Sequence, residues 1–270
     1  MAKQQIFSGV GIGGFPYVYG EAQEAYFREK KDARNEEMLA GAPDYAYNEY
    51  LQIWIELGLP GVLACLCLIA YVYIRLLRCR NVEVVGLCGA MVSLMVVSFF
   101  SYPLRCFVTC SLSLFILLWA AWMPMMLCEK KRYGKVGMVC GLLVLIGMGT
   151  MVCIRFNKSY RTWVAVKHWD MVRLYFDREK YKGIEKCYRA LYPDLSKDAG
   201  FLFEYGVCLS YNGHHEESNI ILSEGAKRSS DPMFFNLMGK TSALGRFEEA
   251  EDMFYKAYYR VPTVFILYIC

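Results

Sequence analysis

Few residues have types and spacing that could do chemistry. Gly9-Val-Gly-Ile-Gly-Gly-Phe15 has a backbone that can turn sharply and present amide groups to an anion, the alternative being a flexible loop. A dinucleotide fingerprint is excluded: no strand precedes the run, Pro16 follows it, and no acidic residue stands at the right distance in a strand-helix-strand unit. His168, His214 and His215 all lie in the last third, the latter two in a turn between helices, and neither HExxH nor a cysteine-pair metal site occurs. No serine or cysteine nucleophile is paired with a histidine. The 12 cysteines include Cys65, Cys67, Cys88, Cys106, Cys110 and Cys140 inside apolar runs, where they read as small buried hydrophobes. Met123, Met125 and Met126 read as lipid or helix packing. The expectation is therefore no metal and no cofactor.

These residues must be positioned by a chain that is part membrane and part soluble. At 56% apolar, 16% aromatic and 21% charged, it is too apolar for a typical soluble protein and not apolar enough throughout to be all membrane. The net charge of +4 is modest, its Lys and Arg cluster at the ends of apolar runs, and nothing points to nucleic acid. Met1 precedes a glycine-rich and then charged segment, not a signal peptide. The stretch Asp44 to Gly61 reads as the hinge between water and lipid. It predicts a helix opened by Pro43 and capped by Asp44, pausing at Gly58-Leu-Pro-Gly61. Tyr47, Leu51, Trp54 and Ile55 form its apolar stripe, and Asn48, Glu49, Gln52 and Glu56 lie off it.

Four apolar segments follow, Leu59 to Ile74, Val84 to Phe100, Cys106 to Leu127 and Val136 to Ile154, each near the ~20 residues that a bilayer requires. Arg75, Arg78 and Arg80 join the first two, and Lys130, Lys131, Arg132 and Lys135 join the last two, whereas the middle connection holds only Arg105. By the positive-inside rule both basic loops are cytoplasmic, leaving the opening segment, the Arg105 turn and everything after Ile154 on the outer side. Arg155, Lys158 and Arg161 point weakly the other way, but long domains follow the rule poorly.

The last third is repetitive. Phe234, Leu237, Met238, Thr241, Gly245, Phe247, Ala250, Phe254, Ala257 and Pro262 reproduce the spacing of a tetratricopeptide helix pair. Leu202, Tyr205, Gly206, Leu209, Gly213, Ser218, Leu222 and Gly225 form a preceding copy, and Met171, Val172, Tyr175, Tyr181, Ile184 and Tyr188 a looser third. The chain closes on the apolar tail Val261 to Cys270, where a solenoid would carry a polar cap, and so reads as truncated there. The predicted fold is all-α: polytopic membrane helices of about four spans, then a soluble tetratricopeptide-like α-solenoid. Its domains are an outer-face loop with an amphipathic helix (1–58), a four-helix membrane region (59–155) and a repeat domain (156–270).

Gly11-x-Gly13-x-Phe15, followed by Tyr47-Asn-Glu-Tyr-Leu-Gln-Ile-Trp-Ile-Glu-Leu-Gly-Leu-Pro-Gly61 running into a span, resembles the C-terminal half of the bacterial O-antigen ligase and polymerase family, over residues 8 to 155. Versions with appended tetratricopeptide repeats are known in that family. The resemblance implies a glycosyltransferase of the bacterial inner membrane, with its opening loop and repeats in the periplasm. Its donor would be a polyprenyl diphosphate-linked glycan, its acceptor a hydroxyl of lipid A core or of a growing glycan, and the repeats could take a protein partner. The family's first half is missing, so the chain reads as a C-terminal fragment that need not be active. The family signature has His-Asn where this chain has Tyr47-Asn48, and tyrosine, with a pKa near ~10, is a poor general base. Tyr47, Asn48 and Glu49 are the implied catalytic residues, with Glu49 or Asp44 able to assist. Gly11, Gly13, Arg28, Arg34 and Arg105 are the implied substrate-binding residues, the arginines because forked cations stabilise a diphosphate leaving group. The other reading is a membrane-anchored interaction or scaffold protein without catalytic activity.

Overall fold

A computed structural model describes residues 7–30, 34–79, 82–127, 158–243 and 246–262. Among them every regular element is a helix. The chain forms two compact units, one of residues 1–15 and 45–150, the other of residues 16–44 and 151–270. Residues 16–44 thus join the repeats and not the segment that follows them.

In chain order the helices are α1 (Phe15–Glu29), α2 (Glu49–Leu77), α3 (Val82–Phe100), α4 (Phe107–Leu127), α5 (158–176), α6 (Tyr181–Leu195), α7 (Ala199–Tyr211), α8 (His215–Ala226), α9 (Met233–Ser242) and α10 (Phe247–Arg260). The fourth apolar segment, Val136 to Ile154, its basic loop, Gly245 and the tail beyond Pro262 lie outside the described residues.

In the first unit α2, α3 and α4 pack on one another. Their shared core is small, with Val72, Leu76, Val84, Met91, Ala120 and Met123 buried. Leu63, Val96, Phe99, Phe115 and Leu118 point outward. Such an apolar exterior fits lipid as solvent, and α2 and α3 are each long and apolar enough to cross a membrane. The 19 residues of α3 span about 28 Å at the helical rise, close to the hydrocarbon thickness. Helix α4, of 21 residues, contains the apolar stretch Phe107–Met123.

Two expectations for the hinge helix are corrected. It opens at Glu49, and its cap is Asn48, whose side chain accepts from the Leu51 amide at 3.0 Å; Asp44 belongs to the other unit. Of the expected apolar stripe, Tyr47, Leu51 and Trp54 face out at 68%, 49% and 42% exposure and Ile55 is half-buried, while Glu49, Gln52 and Glu56 are buried. An apolar surface costs nothing against lipid, so the polar face turns inward.

In the second unit each helix from α6 to α10 packs on the next, and α7 also touches α9. Asp198 caps α7 by accepting from Phe201 N at 2.9 Å, and Ser218 donates to Gly206 O at 2.7 Å. The pairs approach closely where a side chain is missing. A Cβ on Gly206 would lie 2.5 Å from Leu222, and one on Gly239 would lie 2.9 Å from Phe254. Gly206 is thus matched in packing by Gly239, one position beyond the Met238 that the sequence pattern pairs with it. In the loosest copy Ile184 and Tyr188 are buried, but Met171 and Tyr175 are exposed and line a groove of about 980 Å³ with Tyr181 and Tyr211. Glu204 explains why Tyr188 can be buried. Its carboxylate accepts from Tyr188 Oη at 2.8 Å, Trp169 Nε1 at 2.7 Å and Arg173 Nε at 2.9 Å.

Residues 16–44 are fastened to this stack at both ends. Beside α1, Arg260 is 3% exposed and lies 4.4 Å from the Phe235 ring centroid, with Glu24 Oε2 3.6 Å from its Nε. Arg28 bridges to Asp252 at 3.7 Å, and Ser230 Oγ donates to Pro43 O at 3.2 Å.

Packing at the glycines gives one prediction: Gly225→Leu, whose Cβ would fall 2.2 Å from the Phe234 ring, should destabilise the repeats by about 1–3 kcal/mol, measured by thermal unfolding. Asp231 gives another. Burial, with Asp44 nearby, raises its pKa, so the folded state gains stability as pH falls through that raised value and carries the full cost of ionisation above it. Asp231→Asn should keep the acceptor for Met233 N, raise the melting temperature at neutral pH, and lose this advantage in acid.

Candidate functional site

The site begins with a fault in α2. Pro60 has no N–H to give the Glu56 carbonyl, and Gly58, at φ 69° and ψ −172°, breaks the turn that would have served Ile55. Both orphaned carbonyls are taken by the glycine run: Val10 N donates to Ile55 O and Gly11 N to Glu56 O, each at 2.9 Å. The approach requires glycine on both sides. A Cβ on Gly9 would stand 2.4 Å from Glu56 O, and one on Gly58 would stand 2.5 Å from Phe7 O. Gly11, implied as a donor to substrate, therefore spends its amide on α2, and Gly13 lies exposed in the turn closed by Gly14 N on Gly11 O at 3.0 Å.

One helical face holds the polar groups. Glu49, Gln52 and Glu56, at i, i+3 and i+7, are 4%, 3% and 6% exposed. Glu49 Oε1 accepts from Leu104 N at 2.8 Å, and Gln52 Oε1 accepts from Ala46 N at 2.7 Å while its Nε2 donates to Glu56. Arg105 Nη2 reaches both Glu56 oxygens, at 3.1 and 3.3 Å. Its guanidinium sits 4.8 Å from the Tyr45 ring centroid, and Tyr102 meets Tyr45 and Tyr47 at 5.9 and 5.3 Å. Side chains of α2 thus pin the turn between α3 and α4 on one cation and one backbone amide.

Below this cluster is a cavity of about 400 Å³ among α2, α3 and α4, lined by Glu49, Tyr50, Ile53, Leu66, Met95 and Leu114 among others. It is a partly open apolar groove with a carboxylate in its wall. Among the described residues only Nη2 of Arg105 is hydrogen-bonded, so the cation keeps donors for an anion. No cluster of three metal-ligating side chains occurs among the described residues.

Of the implied site residues, Tyr47, Asn48, Glu49 and Arg105 come together here. Tyr47 is exposed and packs on Tyr102, and Asn48 is engaged as the helix cap. Arg28 is in the repeat unit, bonded to Glu24 at 3.0 Å and paired with Asp252. Arg34 starts a single turn, Arg34–Glu37, of that same unit, and its side chain is outside the description. Sequence reasoning missed Tyr45, Gln52 and Glu56. The signal was present in the polar i, i+3, i+7 row of a helix bordering lipid, where polar groups turn toward protein.

Compared with protein-family models, curated proteins and solved structures, the chain matches none.

Removing Arg105 should strand a buried carboxylate. Arg105→Met is expected to destabilise the first unit by about 2 kcal/mol, below the range for fully buried pairs because Arg105 is 31% exposed. Adding Glu56→Gln should recover most of that loss, which a double-mutant cycle of thermal stability in detergent measures.

Proposed function

We propose that the chain is a membrane glycosyltransferase of the O-antigen ligase and polymerase type. The carrying observation is Glu49 in the wall of an apolar cavity among helices that suit a bilayer, bonded to the amide of Leu104, whose chain neighbour Arg105 pairs with Glu56 one face-repeat along the same helix. A polyprenyl tail suits the cavity, and the diphosphate suits the donors that Arg105 keeps. In the transfer, the acceptor oxygen forms the bond to the anomeric carbon as the bond to the diphosphate breaks. The leaving diphosphate takes the electron pair beside Arg105, and the acceptor proton passes to Glu49, filling the role that Tyr47 fills poorly. Glu56 neutralises and aims Arg105, and Asn48 holds the start of α2. The acceptor is a hydroxyl of lipid A core or of a growing glycan.

The periplasmic, multi-pass topology is part of the proposal. What supports it is that residues 16–44 pack with the repeats, which requires both on one side of the membrane and an even number of crossings between them. Protease or label accessibility in intact cells should find 16–44 and 158–262 on the outer face and the Arg78 loop on the inner one.

In cells carrying the gene, Arg105→Met and Glu49→Gln should each lower surface-attached polymer by about 100-fold at unchanged protein level. Asn48→Ala should cost about 1 kcal/mol of stability with a milder loss of polymer. Unaltered polymer in the Tyr47, Asn48, Glu49 and Arg105 variants, with rescue by the repeats alone, would replace this reading with the scaffold.

A further inference from the structure

Helix α5 has two apolar faces where a helix at the end of a solenoid needs one. Ala165, Val166, Trp169, Val172 and Phe176 pack on the core shared with α6 and α7. On the side away from that core, Tyr160, Trp163, Lys167, Met171 and Leu174 follow one another at intervals of three and four residues, the spacing of one helical stripe. Tyr175 lies beside it. Apart from Lys167, these are large apolar or aromatic side chains, and each is more than half exposed.

The stripe has the composition of a boundary and not of a dry interface. Tyr160 and Trp163 stack with ring centroids 6.0 Å apart, and Lys167 Nζ sits 4.2 Å from the Trp163 ring centroid. A protein helix laid over this stripe would bury the Lys167 charge in its middle and would have to supply an acid there. At a bilayer surface the lysine stem lies along the ring while its ammonium reaches a phosphate. Tryptophan and tyrosine, apolar in body and polar at the tip, sit at headgroup level for the same reason.

Charge fixes which lipid suits it. Residues 158–189 carry nine Lys and Arg against four Asp and Glu, whereas residues 190–262 carry seven against eleven. Arg161, Arg173 and Arg189 are paired with acids, but Lys167, Lys180 and Lys182 have no ion pair among the described residues. Lys180 and Lys182 line the groove that Met171 and Tyr175 enter beside the stripe. Unpaired cations and exposed rings therefore share one surface, the combination that an anionic phospholipid layer attracts.

We propose that α5 lies in the surface of an anionic phospholipid bilayer, with Tyr160, Trp163, Met171 and Leu174 among the headgroups and Lys167, Lys180 and Lys182 on lipid phosphates. The chain has two helices long and apolar enough to cross a bilayer, so such a surface is at hand. This docking does not depend on glycan transfer.

Hydrogen exchange on the full chain in nanodiscs, of phosphatidylcholine alone or mixed with phosphatidylglycerol, tests it. Peptides from residues 158–176 should exchange about tenfold more slowly in the anionic discs, with α7 and α8 unchanged. Lys167→Glu combined with Lys182→Glu should abolish that difference and Trp163→Ser should shrink it; all three positions are exposed, so the fold tolerates the changes. Equal exchange of 158–176 in the two discs would overturn the proposal, slow exchange in both meaning that protein and not lipid covers the stripe. A difference that survives either set of substitutions would overturn it too.

Discussion

A helix that loses hydrogen-bond donors must find others, and the first unit is arranged around that need. Pro60 cannot serve the Glu56 carbonyl and Gly58 turns the backbone away from Ile55, so two acceptors on the flank of α2 lose their helical donors. Val10 and Gly11 fill them. The close approach fixes the glycine run against α2 just where Glu56 reaches for Arg105, so one backbone deficit places both a loop and an ion pair. The run that looked like an anion cradle thereby spends two of its amides on protein.

The buried polar row and the apolar exterior are a single consequence of solvent. In water Leu51 and Trp54 would face a core; on a helix bordering lipid they face out, and Glu49, Gln52 and Glu56 gain partners only by turning inward. Each has one: the Leu104 amide, the Ala46 amide and the Arg105 guanidinium. The repeat unit follows the opposite rule. There Phe201, Leu202, Leu209 and Leu222 are fully buried, and the charge placed among them, Glu204, is satisfied by three donors.

Residues 16–44 belong to the unit of the repeats. Read along the chain they are the middle of an outer loop; in the fold they are the neighbours of α9 and α10, tied by Arg260, Arg28 and Pro43. The amphipathic helix α10 thereby gains a covering element near its end, from a segment far away in sequence. Electrostatic compensation at those ties is poorer than at Glu204.

The residues alone determined the helical character, the two long apolar helices, the pause at Gly58 and the pairing of small with large residues in the repeats, because periodicity, apolar length and glycine or proline placement act over a few turns of chain. They also marked Tyr47, Asn48, Glu49 and Arg105, whose types survive any fold. Which face of α2 is buried, that Asn48 and not Asp44 caps it, that Glu56 holds Arg105, and that residues 16–44 belong with the repeats were decided only by tertiary structure. All but the cap depend on a partner from a distant segment, and only the folded chain decides which partner arrives.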